Sequence, residues 1–452
     1  MKLVKSLLLG SAAGLMAVAG AQAADLPSRK AAPADYVRIC SAYGAGYFFL
    51  PGSSDTCLRI SGQVRGETYI GQRYSRYDDT HGFRARARIN LDARTQTGYG
   101  TLRTFIRAEL NNQQGTYAIP GQGSSFAGAT ARNGGAPGGT AQGTLAFVQF
   151  AGITAGRFTS FFDYYGNDAF WNFGGIAGTQ GDSVNGLAYT ATFGGGFSAT
   201  IAAESRPDSE RGLVASGGVP GYAGARYPDI VAALRVQQGW GTAQLMGLVR
   251  DVNIANTVGV GLGAPALAGS KTGYAIGAGV MFNLPMLAAG SQLYFEGVYT
   301  QGVVAKLGLG SAVRIGTANV AVADYSFNGV NARLAEGYSL MTALRHFWTP
   351  QIKQAIFAGY TNVSYGNHSG FGGVLPTLGG GQLRSFNKFE IGTNLIWSPV
   401  AGLDIGVEVL YKSVDPRGRY TPVSTFANLP AGVNSKGKDS GFEGRFRVQR
   451  DF

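Results

Sequence analysis

Residues Phe83–Arg94 read FRARARINLDAR and alternate between two chemistries. Successive side chains of a β-strand point to opposite faces. One face would carry Phe83, Ala85, Ala87, Ile89, Leu91 and Ala93, and the other Arg84, Arg86, Arg88, Asn90, Asp92 and Arg94. Arginines two apart lie about 6.5 Å from each other, so water must bathe their face. The alanines opposite are too small to fill a soluble core well and suit contact with lipid or another subunit.

The same design repeats in both directions along the chain. Leu58–Ile70 and Leu102–Asn111 alternate in the same way. So does the carboxyl-terminal stretch Gly441–Phe452 (GFEGRFRVQRDF), where every second residue from Phe442 is apolar or glycine. Arg450 breaks that pattern and is expected at a rim. Repeated strands of this kind predict an all-β protein in which one face of each strand contacts an apolar environment and the other face contacts water.

Short and long connections alternate between the predicted strands, as in outer-membrane barrels. Long segments are predicted at Gln113–Gly143, Asp208–Tyr227, Asn253–Lys271, Lys306–Arg333, Gly366–Arg384 and Asp415–Asp439. Short reversals are predicted near Gly98, Gly152, Gly194–Gly196, Gly239–Gly241, Pro285–Gly290, Pro350 and Pro399–Gly402. Seven short turns joining eight hairpins give sixteen antiparallel strands. Trp240, Trp348 and Trp397 each precede a short turn and should mark one membrane–water boundary.

The amino terminus has the features of a secretory signal. Lys2 and Lys5 precede the apolar run Leu7–Ala19, and Ala21–Ala23 forms a small-x-small cleavage site. We therefore expect residues 1–23 to be removed between Ala23 and Ala24, leaving an amino-terminal segment, 24–57, and a barrel domain, 58–452. A membrane helix needs about 20 apolar residues, and every later apolar run is interrupted. A membrane protein with this sequence must be a closed barrel.

Charge and cysteine content narrow the function further. Lysine and arginine exceed aspartate and glutamate by 38 − 26 = 12, and a basic balance often indicates nucleic acid. Here the arginines recur at alternate strand positions instead of clustering in a tail or helix, which indicates either an ordinary solvated strand face or a positively charged inner lining. Cys40 and Cys57 should pair in an oxidising compartment and add roughly 3 kcal/mol to stability. Two cysteines and three scattered histidines are too few for a metal site, and no cofactor is expected.

An aromatic segment follows the predicted strands around Gly152. Its rings belong to Phe161, Phe162, Tyr164, Tyr165, Phe170, Trp171 and Phe173. Large exposed apolar patches favour burial, so this loop should fold into the barrel. The Gly156-Arg157 step, the Phe-Phe-Asp-Tyr run from Phe161 and the ending Phe173–Gly175 look like the third loop of outer-membrane porins, which narrows the lumen.

The amino-terminal pattern is similar to that of alphaproteobacterial porins, sometimes called porin type 2. The matching residues are Tyr36–Cys40, Ala42–Gly46, Pro51–Gly52 and Asp55–Gly62. The resemblance implies a 16-stranded outer-membrane barrel, usually a homotrimer, that passes small hydrophilic solutes and ions passively. It also implies contact with lipid and lipopolysaccharide, and recognition of the terminal Phe452 by the outer-membrane assembly machinery.

The main hypothesis is a water-filled pore with a transverse electric field at a constriction formed by loop residues 160–185. Candidates for its basic wall are Arg65, Arg84, Arg86, Arg88, Arg103 and Arg107, and candidates for its acidic side are Asp163, Asp168 and Asp182. Such a field orients dipolar solutes and disfavours apolar ones. The arginine excess suggests mild anion preference.

Three alternatives remain open at this point. The aromatic segment could form a slide for sugars in a substrate-specific channel. A hydrolase on a barrel scaffold would need a nucleophile beside a base, and the histidines available are His81, His346 and His368, the last followed by Ser369. A secreted β-sandwich adhesin is the third alternative. We expect no enzymatic activity.

Overall fold

The computed structural model of the protein describes residues 38–71, 80–115, 140–141, 145–164, 179, 183–206, 210–211, 222, 224–256, 266–310, 312–315, 318–327, 332–366, 383–418 and 437–452. Sixteen long strands run through this part of the chain. They are β1 (Thr56–Ile70), β2 (His81–Thr97), β3 (Gly100–Gly115), β4 (Leu145–Phe150), β5 (Ile153–Thr159), β6 (Ser183–Gly194), β7 (Phe197–Glu204), β8 (Asp229–Gln238), β9 (Gly241–Asn256), β10 (Ala266–Asn283), β11 (Gln292–Gln301), β12 (Glu336–Thr349), β13 (Ile352–Ser364), β14 (Phe386–Val400), β15 (Leu403–Pro416) and β16 (Asp439–Asp451).

The strands close into an antiparallel barrel. Each strand pairs with the next along the chain, and β16 pairs with β1 in a register that joins Gln63 to Asp451 and Ile70 to Gly444. The predicted faces are confirmed, because Phe83 and Ile89 are exposed on the outside while Arg84 is buried on the inside. The predicted 16-stranded transmembrane barrel is therefore confirmed.

One end of the barrel carries seven tight turns in the described part of the chain, at the positions that the sequence predicts. They connect β2 to β3, β4 to β5, β6 to β7, β8 to β9, β10 to β11, β12 to β13 and β14 to β15. Trp240, Trp348 and Trp397 lie at this rim with 40%, 63% and 50% of their surface exposed. Trp171 lies outside the described residues.

Paired aromatic rings mark the opposite rim between β10 and β16. Ring centroids are 6.1 Å apart in the pair Tyr274–Tyr299, 6.0 Å in Tyr338–Tyr360 and 5.1 Å in Tyr411–Phe442. Aromatic belts at both ends of an apolar outer wall are typical of a membrane-spanning barrel.

The amino-terminal segment is fastened to the rim that carries the tight turns. Cys40 and Cys57 form the predicted disulfide, with 6.0 Å between their Cα atoms. A short strand, Tyr47–Phe49, pairs with residues Cys57–Arg59 at the start of β1. It covers the part of the β1 edge that precedes Gly62 and that β16 does not reach. The described chain contains 3-10 helices at Ser41–Tyr43 and Val304–Leu307, and none of its helices is long and apolar enough to cross a membrane. The signal segment 1–23, with Ala23 and Ala24, lies outside the described residues.

The described residues of the connection between β11 and β12, which spans residues 302–335, fold into the barrel. We call this connection the inner strap. Its described residues include the hairpin Ala312–Ile315 with Ala318–Ala321, the hairpin Tyr325–Phe327 with Ala332–Leu334, and the buried helix Val304–Leu307. The strap packs against inward-facing wall residues such as Met246, Val298 and Val414. The sequence predicts a long connection here but not its inward path.

One predicted loop is shorter in the structure than expected. The segment Asn253–Lys271 was predicted as a connection, but β9 continues to Asn256 and β10 begins at Ala266. A register shift at Ile254–Ala255 allows the pairing to continue. Asp251 accepts hydrogen bonds from Arg226 at 2.7 Å and Ser270 at 3.0 Å, and these contacts stabilise the extended strand ends.

Barrel closure depends on a close approach between Gly62 and the terminal residue. The Gly62 amide donates to the Phe452 carbonyl at 2.8 Å, and the Phe452 amide donates to the Gly62 carbonyl at 3.0 Å. A Cβ atom on Gly62 would lie 2.6 Å from the Arg88 carbonyl oxygen and also meet the Phe452 ring. A Cβ atom on Gly66, two positions along the same face, would have no neighbour within 4 Å.

We expect Gly62→Ala to lower the free energy of unfolding by about 1–3 kcal/mol, because the added methyl overpacks the closure. Gly66→Ala is the matched control and should leave it unchanged. The measurement is urea unfolding of the protein in lipid vesicles, followed by tryptophan fluorescence. Equal stability of the two variants would contradict the role of this contact in closure.

Candidate functional site

The inner wall of β16, β1, β2 and β3 carries rows of arginines. Strand register sets these rows, because Glu67 on β1 pairs with Arg84 on β2 and with Arg447 on β16. In the next row Arg65 pairs with Arg86 and with Gln449. All of these side chains point into the barrel, so the wall presents charge to the lumen.

Glu67 lies at the centre of the most buried row. Its carboxylate accepts hydrogen bonds from Arg84 Nε at 2.5 Å and Arg447 Nε at 2.6 Å, and Arg445 Nη1 lies 3.4 Å away. The Glu67 side chain is fully buried. Charge-assisted hydrogen bonds of this kind are stronger than neutral ones. One carboxylate on β1 thus holds three guanidinium groups from the two neighbouring strands, β2 and β16.

Two further carboxylates organise the remaining arginines. Glu109 on β3 accepts from Arg88 Nε at 2.8 Å and lies 3.1 Å from Arg86 Nε. Asp92 on β2 accepts from Arg103 Nε at 3.0 Å and Nη2 at 2.9 Å. The Arg88 and Arg103 side chains are 17% and 28% exposed, so both remain partly accessible to water in the lumen.

Arg65 and Arg107, the remaining predicted site residues of this wall, bond to amides. Arg65 Nε donates to Gln449 Oε1 at 3.0 Å, and Arg107 Nε donates to Asn90 Oδ1 at 2.9 Å. The structure therefore places all six predicted arginines on one inner wall. The sequence analysis named none of Glu67, Glu109 and Asp92 as site residues, although each shares its strand face with predicted arginines.

The start of the predicted third loop lies against the opposite inner wall. Tyr164 donates its hydroxyl proton to the Thr242 carbonyl at 2.8 Å and stacks on Tyr294 with 5.4 Å between ring centroids. Thr179 Oγ1 donates to Glu296 Oε1 at 3.4 Å. Of the predicted acidic side, only Asp163 is described, and it lies 3.7 Å from Lys306 Nζ. Asp168 and Asp182 lie outside the described residues.

A buried ionic cluster fixes the inner strap to β8 and β9. Arg250 donates to Asp229 through Nη2 at 2.5 Å, and its Nη1 lies 3.5 Å from Asp324 of the strap. Asp324 also accepts from the Val304 amide at 2.7 Å and from the Tyr222 hydroxyl at 2.5 Å. Burial raises the pKa of Asp324 above its ordinary value, and the Arg250 guanidinium opposes that shift. This cluster was not predicted, because its members are far apart in sequence.

The histidines of the described chain lie in structural surroundings. His346 Nδ1 lies 3.3 Å from Ser291 Oγ, but Ser291 is also within 3.4 Å of the Phe347 amide, and His346 packs edge-on against Trp348. His81 packs against Phe83. His368 and Ser369 lie outside the described residues. Within the described ranges, no group of three or more His, Cys, Asp and Glu side chains could hold a metal ion.

Comparison with known proteins identifies the class. A family model described as a porin subfamily matches residues 25–440, and the chain belongs to this porin family. It is a multi-pass β-barrel of the bacterial outer membrane. The family and the relatives point to a channel rather than an enzyme.

Particular relatives and one solved structure are similar to the chain. Porin Omp2b of Brucella suis biovar 1 and that of Brucella melitensis biotype 1 are each 36% identical over 254 residues, covering 53% of this chain. The match spans 64% of the length of these relatives. The outer membrane channel DcaP of Acinetobacter baumannii has the same fold, with a TM-score of 0.62 at 16% identity over 88% of this chain and 98% of DcaP.

Removing the central carboxylate should destabilise the wall. We expect Glu67→Gln to lower the free energy of unfolding by about 3–5 kcal/mol, because buried arginines lose their counter-charge. The matched control is Asp451→Asn, since Asp451 accepts from the amides of Gln63 at 2.9 Å and Gln449 at 3.2 Å. Urea unfolding in vesicles measures both. A Glu67→Gln protein as stable as Asp451→Asn would contradict the assignment.

Proposed function

We propose that the protein forms a water-filled pore for passive diffusion of small hydrophilic solutes and ions. The observation that carries this proposal is the ionic inner wall inside a closed barrel. Charged side chains on a membrane-spanning strand are costly unless they face water or partners. Arg88 pairs with Glu109 and Arg103 pairs with Asp92, and both arginines also remain partly exposed to water.

We propose further that a transverse field crosses the pore. In a ring of sixteen strands, β10 lies opposite β2, which carries Arg84, Arg86 and Arg88. Asp163 lies close enough to Glu296 of the neighbouring β11 for their carboxylates to interact. Asp163 thus lies roughly across the lumen from the arginine wall. Asp168 and Asp182 remain candidates for the same acidic side, and narrowing by residues 160–185 remains part of this proposal.

A sugar-specific channel is less well supported. An aromatic slide requires rings with free faces in the lumen. Phe162 is fully buried, Phe161 packs against Phe158 at 5.4 Å between centroids, and Tyr164 stacks on Tyr294. The described rings of the segment therefore anchor it to the wall. Such anchoring favours the general diffusion pore.

We propose that the barrel associates with copies of itself, as a homotrimer, through the sector around β5. The outward face of β4 and β5 carries small side chains, because Ala146 and Ala155 are both exposed there and the two strands pair in register. Side chains this small let the outer wall of a second subunit approach the strands closely. The aromatic pairs of β10–β16 favour lipid contact on the far side.

We also propose a role for each end of the chain. Residues 1–23 would be a signal removed between Ala23 and Ala24, leaving the segment 24–57 and the barrel domain 58–452. Phe452 would be read by the outer-membrane assembly machinery. Its ring is 61% exposed at the rim that carries the tight turns, which is compatible with recognition from that side.

Conductance across a planar lipid bilayer tests the pore. We expect ohmic conductance without block by sugars, and Arg88→Glu should raise the permeability ratio of potassium to chloride roughly twofold, because it reverses a lumen charge. Arg450→Glu makes the same charge change on the outward face and is the matched control. Saturable block by a sugar would favour the substrate-specific channel, and absence of conductance would refute the pore.

Substitution of a small interface residue tests the trimer. Ala155, exposed on the outward face of β5, should be covered by a second subunit, so Ala155→Trp should reduce the trimer fraction at least about tenfold, as overpacked contacts do. Ala278→Trp on β10 adds the same ring to the sector facing lipid and should have no effect. Light scattering in detergent measures the mass. Intact Ala155→Trp trimers would exclude this sector from the interface.

A further inference from the structure

Lys306 of the inner strap is a fully buried lysine with no place in the ionic wall described above. It lies in the helix Val304–Leu307, with 1% of its surface exposed. Burying an ammonium group costs several kcal/mol unless counter-charges surround it. The groups around Lys306 therefore indicate what the residue does.

Those groups belong to the start of the third loop and to the wall beside it. Lys306 Nζ lies 3.3 Å from Ser160 Oγ, 3.7 Å from Asp163 Oδ1 and 5.5 Å from the centre of the Phe162 ring. Glu204 on β7 is also close enough for electrostatic attraction. Each of these contacts joins Lys306 to a residue more than a hundred positions away in the sequence.

The same short stretch of loop is held from the wall by Glu204. Ser160 Oγ donates to Glu204 Oε2 at 2.6 Å, and the Phe161 amide donates to Glu204 Oε1 at 2.9 Å. The next two amides bond within the stretch, since Phe162 donates to Ser160 Oγ at 3.2 Å and Asp163 to the Ser160 carbonyl at 3.1 Å. Residues 160–163 thus form a bonded turn between a wall carboxylate and the strap ammonium.

The strap, which carries Lys306, is itself held in place by other contacts. Asp324 fixes it to Arg250 and Tyr222, and the Ala323 amide donates to the Tyr365 hydroxyl oxygen at 3.0 Å. Lys306 is therefore presented from a fixed point. A fixed cation beside a carboxylate on a different loop is suited to holding that loop in place.

We infer that Lys306 is a positioning residue that holds the beginning of the third loop, residues 160–163, against the inner wall of the barrel. It couples the strap to the beginning of the third loop, residues 160–163, through one ammonium group. Its consequence for conduction rests on the proposed pore function, because a loop released from the wall changes the open cross-section of the lumen.

Hydrogen–deuterium exchange of the detergent-folded protein tests the coupling without reference to conduction. Lys306→Met keeps the length of the side chain but leaves the Asp163 and Glu204 carboxylates without the ammonium. We expect the amides of Phe161, Phe162 and Asp163 to exchange at least about tenfold faster, as local opening becomes easier. Lys353→Met is the matched control, because Lys353 pairs with Asp404 at 2.8 Å on the wall and does not touch the loop.

A second substitution separates charge from packing. Lys306→Met combined with Asp163→Asn also removes the carboxylate that lies beside the ammonium, and should bring exchange back to within about threefold of the wild type. Unchanged exchange in Lys306→Met, or exchange in the double variant as fast as in the single one, overturns the proposal. Where Lys306→Met does not fold, Lys306→Gln takes its place, with the same expectation and the same overturning result.

Single-channel recording gives the functional readout. Lys306→Met should show larger current fluctuations in the open state, and Lys353→Met should show wild-type fluctuations, because only the first releases the loop. Quiet Lys306→Met channels overturn the link between the coupling and conduction. A wild-type protein that does not conduct refutes the proposed pore but leaves the exchange result, and hence the coupling, to be judged separately.

Discussion

The hydrogen bonds between the last strand and the first are the contact on which the whole structure depends. A strand edge left open in lipid would expose unpaired amides and carbonyls, each costing several kcal/mol. The pairing from Gln63–Asp451 to Ile70–Gly444 removes that edge, and the Gly62–Phe452 contact ends it at the rim. Once the ring is closed, alternate side chains must point to lipid or to the lumen. The inner wall is a consequence of closure.

Closure also turns sequence alternation into an electrostatic surface. Arginines that would repel along a single strand are interleaved with carboxylates from the neighbouring strands. Glu67 accepts hydrogen bonds from arginines of β2 and β16, and Glu109 on β3 accepts them from an arginine of β2. The result is a rigid wall of fixed charges with a basic excess, which is suited to acting on ions and dipolar solutes without binding them tightly.

The lumen is shaped by loops as well as by the wall. The inner strap fills one side of the barrel with buried apolar residues such as Val304 and Val320, and its charged residues lie where counter-charges are available. Asp324 meets Arg250, and Lys306 meets Asp163. Such a segment narrows the space inside the ring, because an unfilled ring of sixteen strands leaves a wide aqueous channel.

Strand faces, turns, rim tryptophans and the disulfide were all predictable, because each depends on neighbours in sequence. The alternation within Phe83–Arg94 is enough to say which side chains share a face of the strand. Gly98 and Pro350 each indicate a turn at their own position. The six wall arginines could be named for the same reason. Their partners could not, because which carboxylate faces which guanidinium depends on register between strands, and a one-residue slip would change every pair. The inward path of the strap and the contact between Lys306 and Asp163 were decided only by tertiary structure, since they join segments that closure of the ring brings together.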